Sequence, residues 1–201
     1  MIKAIIFDFD GVIADTYDLN LQLSKHFYPE TTEQDFLDHH NGNSLQEPKI
    51  PFKEEELEPY FHMQKPLFTK QHLFPFKEIL EKLHKQFTLF IITSTFDENV
   101  IHLLELDNYH KYFKQVLGSQ IHKSKEVKFH MIFDQNSLLP SECLFVTDTI
   151  GDIKEARKVG IKTIAVTWGY HSEELLKQHN PEAIVNNAKE LLVEIQHLTS
   201  I

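Results

Sequence analysis

Short apolar runs separated by longer, helix-patterned stretches organise this chain. Four stand out: AIIF (4–7), TLFII (88–92), CLFV (143–146) and TIAV (163–166). Each is nearly continuous rather than alternating, the pattern of strands covered on both faces of a parallel sheet. Weaker runs at QVLG (115–118) and AIV (183–185) are candidates for edge strands. Between the runs the apolar period lengthens to that of a helix. Phe76, Ile79, Leu80 and Leu83 share one face, as do Leu191, Ile195 and Leu198. Gly160 after KEARKV reads as a C′ residue, and Ser172 ahead of Glu173 and Glu174 as an N-cap. Strands alternating with helices predict an α/β fold, a parallel sheet flanked by helices.

Residues 17–73 break that rhythm. The interval is far longer than one crossover helix and holds no convincing buried strand. Leu19, Leu21, Leu23 and Phe27 suggest one helix, Thr31 with Gln34 a capping box opening a second, and 53–70 a third. HHNGN (39–43) and EPKIP (47–51) are turn chemistry. The expectation is a small helical cap, residues 17–73, inserted into an α/β core made of 1–16 and 74–201. Phe61, Met63, Phe68 and Phe74 are expected to pack that insertion, and Trp168 to pack in the core.

Composition narrows the partners. A length of 201 residues allows one real core with an insertion. The net charge of -10 argues against a nucleic acid polymer or an anionic lipid surface. Arg157 is the one arginine, so an anion clamp must use lysine, backbone N–H groups or a metal. No run approaches the roughly 20 apolar residues of a membrane span, and the N-terminal run lacks the flanks of a signal peptide. The single cysteine, Cys143, rules out an internal disulfide framework, fits a reducing cytoplasm and is expected to be a small core residue. His39 and His40 adjoin Asn-Gly turn residues and, being adjacent, are not expected to share a metal.

The chemistry gathers at strand ends. FDFDGVIADT (7–16) sets Asp8 and Asp10 two residues apart before Gly11; Asp15 follows and is expected to cap or position the start of the insertion. Thr93 and Ser94 end the second run, Thr147 and Asp148 the third, and Lys123 follows QVLGS. In parallel α/β sheets the ligand crevice lies at such carboxyl ends. Clustered acids raise one another's pKa unless a cation compensates, and Mg²⁺ takes a couple of carboxylates together with water and phosphate oxygens.

FDFDGVIADT resembles the first motif of the haloacid dehalogenase superfamily of hydrolases. FIITS (90–94) resembles the strand ending in the second-motif hydroxyl, the lysine in HKSKE (122–126) the third motif, and TDTIGDIKEARKVGIKTIAVTWG (147–169) the fourth motif with its following strand. The resemblance covers 1–16 and about 74–170, in order, and points to a phosphatase branch with a small helical cap, similar to phosphoglycolate phosphatases. It implies an Mg²⁺-dependent phosphomonoester hydrolase acting on a small phosphorylated metabolite through an aspartyl-phosphate. By it Asp8 is the nucleophile and Asp10 the general acid and base. Asp8, Asp10 through its backbone carbonyl, and Asp148 hold Mg²⁺, with Asp152 as a further or water-mediated ligand. Thr93 and Lys123 hold phosphoryl oxygens, helped by N–H groups near Phe9, Gly11 and Ser94. Thr93 is favoured over Ser94 as the active hydroxyl, and Lys123 over Lys125 and Lys128, which are assigned to a solvated helix face. Thr147 departs from the family, which has Gly there; its bulk either narrows the site or bonds to a neighbour. Asp10 argues against dehalogenation and phosphonate cleavage, leaving a sugar-phosphate mutase and a non-catalytic binding protein as alternatives.

Overall fold

The computed structural model describes residues 1–46 and 48–199; position 47, which opens the EPKIP turn, lies outside them. All six apolar runs form strands of one parallel sheet: β1 (Ala4–Phe7), β2 (Thr88–Ile92), β3 (Phe113–Leu117), β4 (Cys143–Thr147), β5 (Lys162–Val166) and β6 (Ala183–Val185). Their order is β3-β2-β1-β4-β5-β6, so the two weaker runs are the edges. β1 lies in the middle, with Phe7 beside Ile91 of β2 and Val146 of β4. The chain winds outward from β1 in one direction and returns to β4 to wind in the other. Asp8 therefore leaves the sheet at the topological switch point, where parallel sheets bind ligands.

Continuous apolar runs follow from cover on both faces. Ile5, Phe7, Leu89, Ile91, Leu144 and Val146 pack beneath α4 (Lys77–His84), α5 (Asp97–Glu105) and α9 (Ala188–Thr199). The alternate residues Ala4, Ile6, Phe90, Ile92, Cys143 and Phe145 face α6 (Lys125–Asn136) and α7 (Ile150–Lys158) through Phe129, Ile132, Phe133 and Ala156. Cys143 is wholly buried there, and burial pushes its thiol up to about 12. Gly160 follows α7 at φ +77°, and Ser172 caps α8 (Glu173–Lys177) by accepting the Leu175 N–H. Trp168 packs against Phe74 and Phe76. Among the described residues no helix is long and apolar enough to cross a membrane.

The segment after β1 holds α1 (Tyr17–Phe27), α2 (Glu33–His39) and α3 (Glu54–Gln64). The capping box of α2 falls one residue later than expected. Thr31 is buried and donates its N–H to Tyr28, whereas Thr32 accepts the Asp35 N–H and Asp35 accepts the Thr32 N–H. The third helix ends at Gln64 and gives way to 3₁₀ turns at Lys65–Leu67 and Lys70–His72. Pro66 is the cause, since it has no N–H to donate and its ring crowds the carbonyl four residues back. Met63 is exposed, contrary to its expected packing role. Thr16, not Asp15, occupies the N-cap position of α1, and Asp15 is exposed. The Asp15 backbone instead donates to the His72 carbonyl while Phe74 donates to Ile13, so the segment enters and leaves side by side.

The loop after α2 lands on α7. The Gly151 N–H donates to the His40 carbonyl at 3.2 Å, and the Lys154 ammonium donates to the Asn41 carbonyl at 2.9 Å. A Cβ at Gly151 would stand 2.4 Å from the Gly42 carbonyl oxygen. The close approach of two backbones is what this glycine permits.

Candidate active site

Asp8 continues the β1 pairing by one bond, its N–H donating to Val146. The chain then folds tightly, with the Phe9 carbonyl accepting N–H groups from Val12, Ile13 and Ala14. Gly11 turns at φ +72°, and a Cβ there would lie 2.1 Å from Asp148 Oδ2. Conformation and close approach both require glycine. The Gly11 N–H is taken by the Ala14 carbonyl, so the expectation that it faces a phosphate is not met. The turn sets Asp8 and Asp10 on one cavity of about 110 Å³, bordered also by Thr93, Ser94, Thr95, Lys125 and Asp152.

The two acids have different company. Asp8 Oδ1 accepts its neighbour's Phe9 N–H at 2.7 Å, and Oδ2 accepts the Lys125 ammonium at 2.8 Å. Lys125 also bonds Asp152 Oδ2 at 2.6 Å and is buried. Asp10 meets no cation among the described residues. Its Oδ1 accepts from Thr16 Oγ1 (2.7 Å) and Asn20 Nδ2 (3.2 Å), and its Oδ2 from Thr95 Oγ1 (2.7 Å) and Thr93 Oγ1 (3.3 Å). Tyr170 Oη accepts from Asn20 at 3.0 Å and shares a hydrogen bond with Thr16 Oγ1. The chain continues into the helical segment, as Gln64 donates to Asn20 Oδ1 and Asn99 to Gln64 Oε1.

Two sequence-based assignments change. Lys123 points to the surface and pairs with Glu54 at 2.8 Å, while Lys125 enters the site. The local reason is a helix start. Ser124 caps α6 by accepting the Val127 N–H, which makes Lys125 the first helical residue and directs it under the strand ends. Ser124 followed by Lys125 and Glu126, an N-cap ahead of a helix start, was the available signal. Lys128 is likewise buried, not solvated, and donates to the Thr93 carbonyl at 2.6 Å. Thr93 borders the cavity as expected, but its hydroxyl turns to Asp10 and accepts the Thr95 N–H. Thr16, Asn20, Thr95 and Tyr170 were not legible as site residues, because nothing in their spacing marks a shared partner.

Thr147 resolves into the second of its alternatives. It is wholly buried and donates to Asp152 Oδ2 at 2.7 Å. Asp152 thus accepts from Lys125 and Thr147 on one oxygen, and Thr149 caps α7 over the Asp152 N–H.

A dication fits only part of the expected ligand set. Among the described residues no group of three or more His, Cys, Asp and Glu side chains forms a ready metal site. The Asp10 carboxylate faces away into its hydroxyl cage, and Asp152 is engaged by Lys125 and Thr147. Asp8 and Asp148 remain. Asp148 is wholly buried, its Oδ2 accepts the Tyr170 N–H at 2.7 Å, and its Oδ1 has no partner among the described residues. An orphaned buried carboxylate oxygen is costly unless a cation meets it. Two carboxylates and a carbonyl, with water and phosphate, suit Mg²⁺. The electrostatics agree. Burial, then the Asp152 charge, pushes Asp148 up to about 7. Burial also raises Asp8 against the pull of Lys125, and Asp152 and Asp148 raise it further. Burial would raise Asp152 too, but Lys125 and hydrogen bonds from Asp8, Lys125 and Thr147 hold it low.

Known proteins supply the family. The model for haloacid dehalogenase-like hydrolases matches residues 5–166. A phosphoglycolate phosphatase from Vibrio parahaemolyticus is 29% identical, over 95% of this chain and 95% of that one. A haloacid dehalogenase-like hydrolase from Streptococcus pneumoniae has the same fold, with a TM-score of 0.75 at 20% identity over 96% and 98% of the two chains. So does a protein from Clostridium acetobutylicum described as a predicted phosphatase, with a TM-score of 0.79 at 20% identity over 98% and 99%. The chain belongs to the haloacid dehalogenase-like hydrolases.

Proposed function

We propose that this chain hydrolyses monoesters of phosphate on small soluble metabolites, with Mg²⁺, through an aspartyl-phosphate on Asp8. The observation that carries the reading is the pair of acids on one cavity, Asp8 against an ammonium and Asp10 inside a cage of hydroxyls. Burial and the neighbouring acids raise Asp8, and Lys125 together with a bound dication would offset them and favour the ionised carboxylate that attacks phosphorus. A carboxyl among hydroxyls can hold or release a proton, because each hydroxyl can rotate from donor to acceptor.

In the first step an Asp8 oxygen forms a bond to phosphorus and the ester P–O bond breaks. The proton on Asp10 passes to the departing alkoxide. In the second, Asp10 takes a proton from water, the water oxygen bonds to phosphorus, and the bond to Asp8 breaks to return its carboxylate. Lys125 neutralises charge on the transferring group, and Thr93 and Ser94 border its path. Asp8, Asp148 and the Asp10 carbonyl would hold Mg²⁺, which would supply further charge neutralisation. Asp152 and Thr147 position Lys125. The helical segment 17–73 acts as a cap that excludes bulk water and meets the leaving group.

Phosphate release from a panel of esters, with Mg²⁺ and with chelator, tests the reading. Asp8→Asn is expected to lower turnover by about 10³-fold or more, and Asp10→Asn by roughly 10²–10⁴-fold. Turnover that survives chelation, or an Asp8→Asn variant as active as the parent, overturns it.

A further inference from the structure

We infer that the substrate's leaving group is a small uncharged alcohol with an apolar face, in place of an anionic one; the inference rests on the phosphomonoesterase reading above. Beside the polar His39, His40, Asn43 and Ser44, the helical segment borders the cavity with Phe36, Phe52, Leu57, Tyr60 and Phe61. These side chains are held by one another. Phe52 and Tyr60 meet edge to face at 5.3 Å, and Phe61 stacks on Phe96 at 4.3 Å. A wall so packed offers area to an apolar group and no charge to an anion.

Every candidate cation is accounted for. Of the lysines of the helical segment, Lys25, Lys49, Lys53, Lys65 and Lys70, none borders the cavity, and Lys65 and Lys70 pair outside it with Glu98 and Asp107. Lys123 pairs with Glu54 outside it too. Arg157 bonds the His179 carbonyl at the surface. His39 and His40 do border the cavity. His39 Nδ1 accepts the Lys49 and Ile50 N–H groups at 3.2 and 3.3 Å, so that nitrogen carries no proton and the ring is neutral. His40 donates Nδ1–H to the Phe36 carbonyl, and burial, then the neighbouring His39, pushes it down to about 3. Lys125 is left as the cation among the described lining residues, and Asp8 and Asp152 hold it.

The acids are more numerous. Asp8, Asp10, Asp152 and Glu155 all border the cavity. Asn20 and Gln64, the amides that a carboxylate could otherwise use, are bonded to Asp10, Tyr170, Asn99 and each other. A second anion on the substrate would meet no cation but the engaged Lys125 among the described lining residues and would stand beside four carboxylates. Size sets a second limit. The cavity of about 110 Å³ is smaller than the roughly 150 Å³ that accepts benzene, and the phosphoryl group shares it. The part of the leaving group held against the wall is then a few carbons.

The test compares esters of similar size and different leaving-group charge: propyl phosphate against 2-phosphoglycolate, and ethyl phosphate against pyrophosphate. The neutral member of each pair is expected to have a kcat/KM at least tenfold higher, with most of the difference in KM. An anionic member equal to or better than its neutral counterpart overturns the inference and leaves the phosphatase reading standing. No turnover of any of the four, with Mg²⁺ present, overturns both. Leu57→Lys places an ammonium on the apolar wall and is expected to shift the ratio at least fivefold toward 2-phosphoglycolate. A folded variant with an unchanged ratio contradicts contact between leaving group and wall.

Discussion

The sheet side of the cavity presents Asp8, Asp10, Asp152 and Lys125, whereas the helical segment presents the rings of Phe36, Phe52, Tyr60 and Phe61 among uncharged polar side chains such as Asn20, Asn43 and Ser44. The first side is organised by charge at fixed backbone positions: strand ends, one tight turn and one helix start. The second is organised by ring packing, with a loop seated on α7 through Gly151. Charge placement needs a rigid frame, because a small displacement changes the interaction steeply. Apolar recognition tolerates exchange of one ring for another of similar volume. On the proposed reading, the sheet side makes and breaks the bonds and the other side chooses the alcohol.

Removing the cation of the first side is the largest way to break the contrast. Lys125→Met leaves Asp8 and Asp152 buried without their shared partner and should cost roughly 3–5 kcal/mol of stability in chelated protein, read by denaturant unfolding. Turnover should fall with it. Lys123→Ala, at the surface position that the sequence favoured, should leave turnover unchanged. If the two variants swap effects, Lys125 is not the anchor.

Displacing the second side sharpens it. Gly151→Ala drives a Cβ to within 2.4 Å of the Gly42 carbonyl, so the loop after α2 must move off α7. We expect kcat/KM to fall by about tenfold, mainly through KM, while the far-ultraviolet circular dichroism stays that of the parent. A loss confined to kcat would place the loop in the chemistry instead.

The smallest effect concerns a buried group below the sheet side. Burial, then the charge of Lys125, pushes Lys128 down to about 7 from an ordinary 10.5. Between those values the unfolded chain holds a proton that the folded protein has released, so this residue's contribution to stability rises with pH across that window. Relative to Lys128→Met, the parent should gain stability from pH 7.5 to 9, at most about 1.4 kcal/mol per pH unit. A difference that is flat or falls with pH would mean that Lys128 stays charged in the fold.

The strands were legible because burial on both faces writes itself as unbroken apolar runs, and all six runs were found. The acids of FDFDGVIADT were legible because their positions are set locally, by a strand end and a glycine turn. Lys125 was misread through its neighbours. Three lysines within six residues differ only in which side of a helix start they occupy, and the cap on Ser124 decides that. The capping box shifted from Thr31 to Thr32 for a similar reason, since two adjacent threonines compete and burial takes one. Thr16 and Asn20 at the start of α1 and Thr95 after β2 meet on the Asp10 carboxylate, and Tyr170 joins from a third stretch by bonding Thr16 and Asn20. A hydrogen bond between residues 154 apart has no trace in either local pattern.

By itself the sequence determined the layered α/β architecture, the helical insertion between β1 and β2, and the motif that places this chain in its family. Those are properties of periodicity and of spacing over a few residues. Only the tertiary structure decided which lysine meets Asp8, that Thr147 bonds Asp152, and that no lysine of the helical segment reaches the cavity. Each depends on where side chains from distant elements end up when the sheet and the helical segment close on one another. FDFDGVIADT names the two acids; the fold gives one an ammonium and the other a cage of hydroxyls.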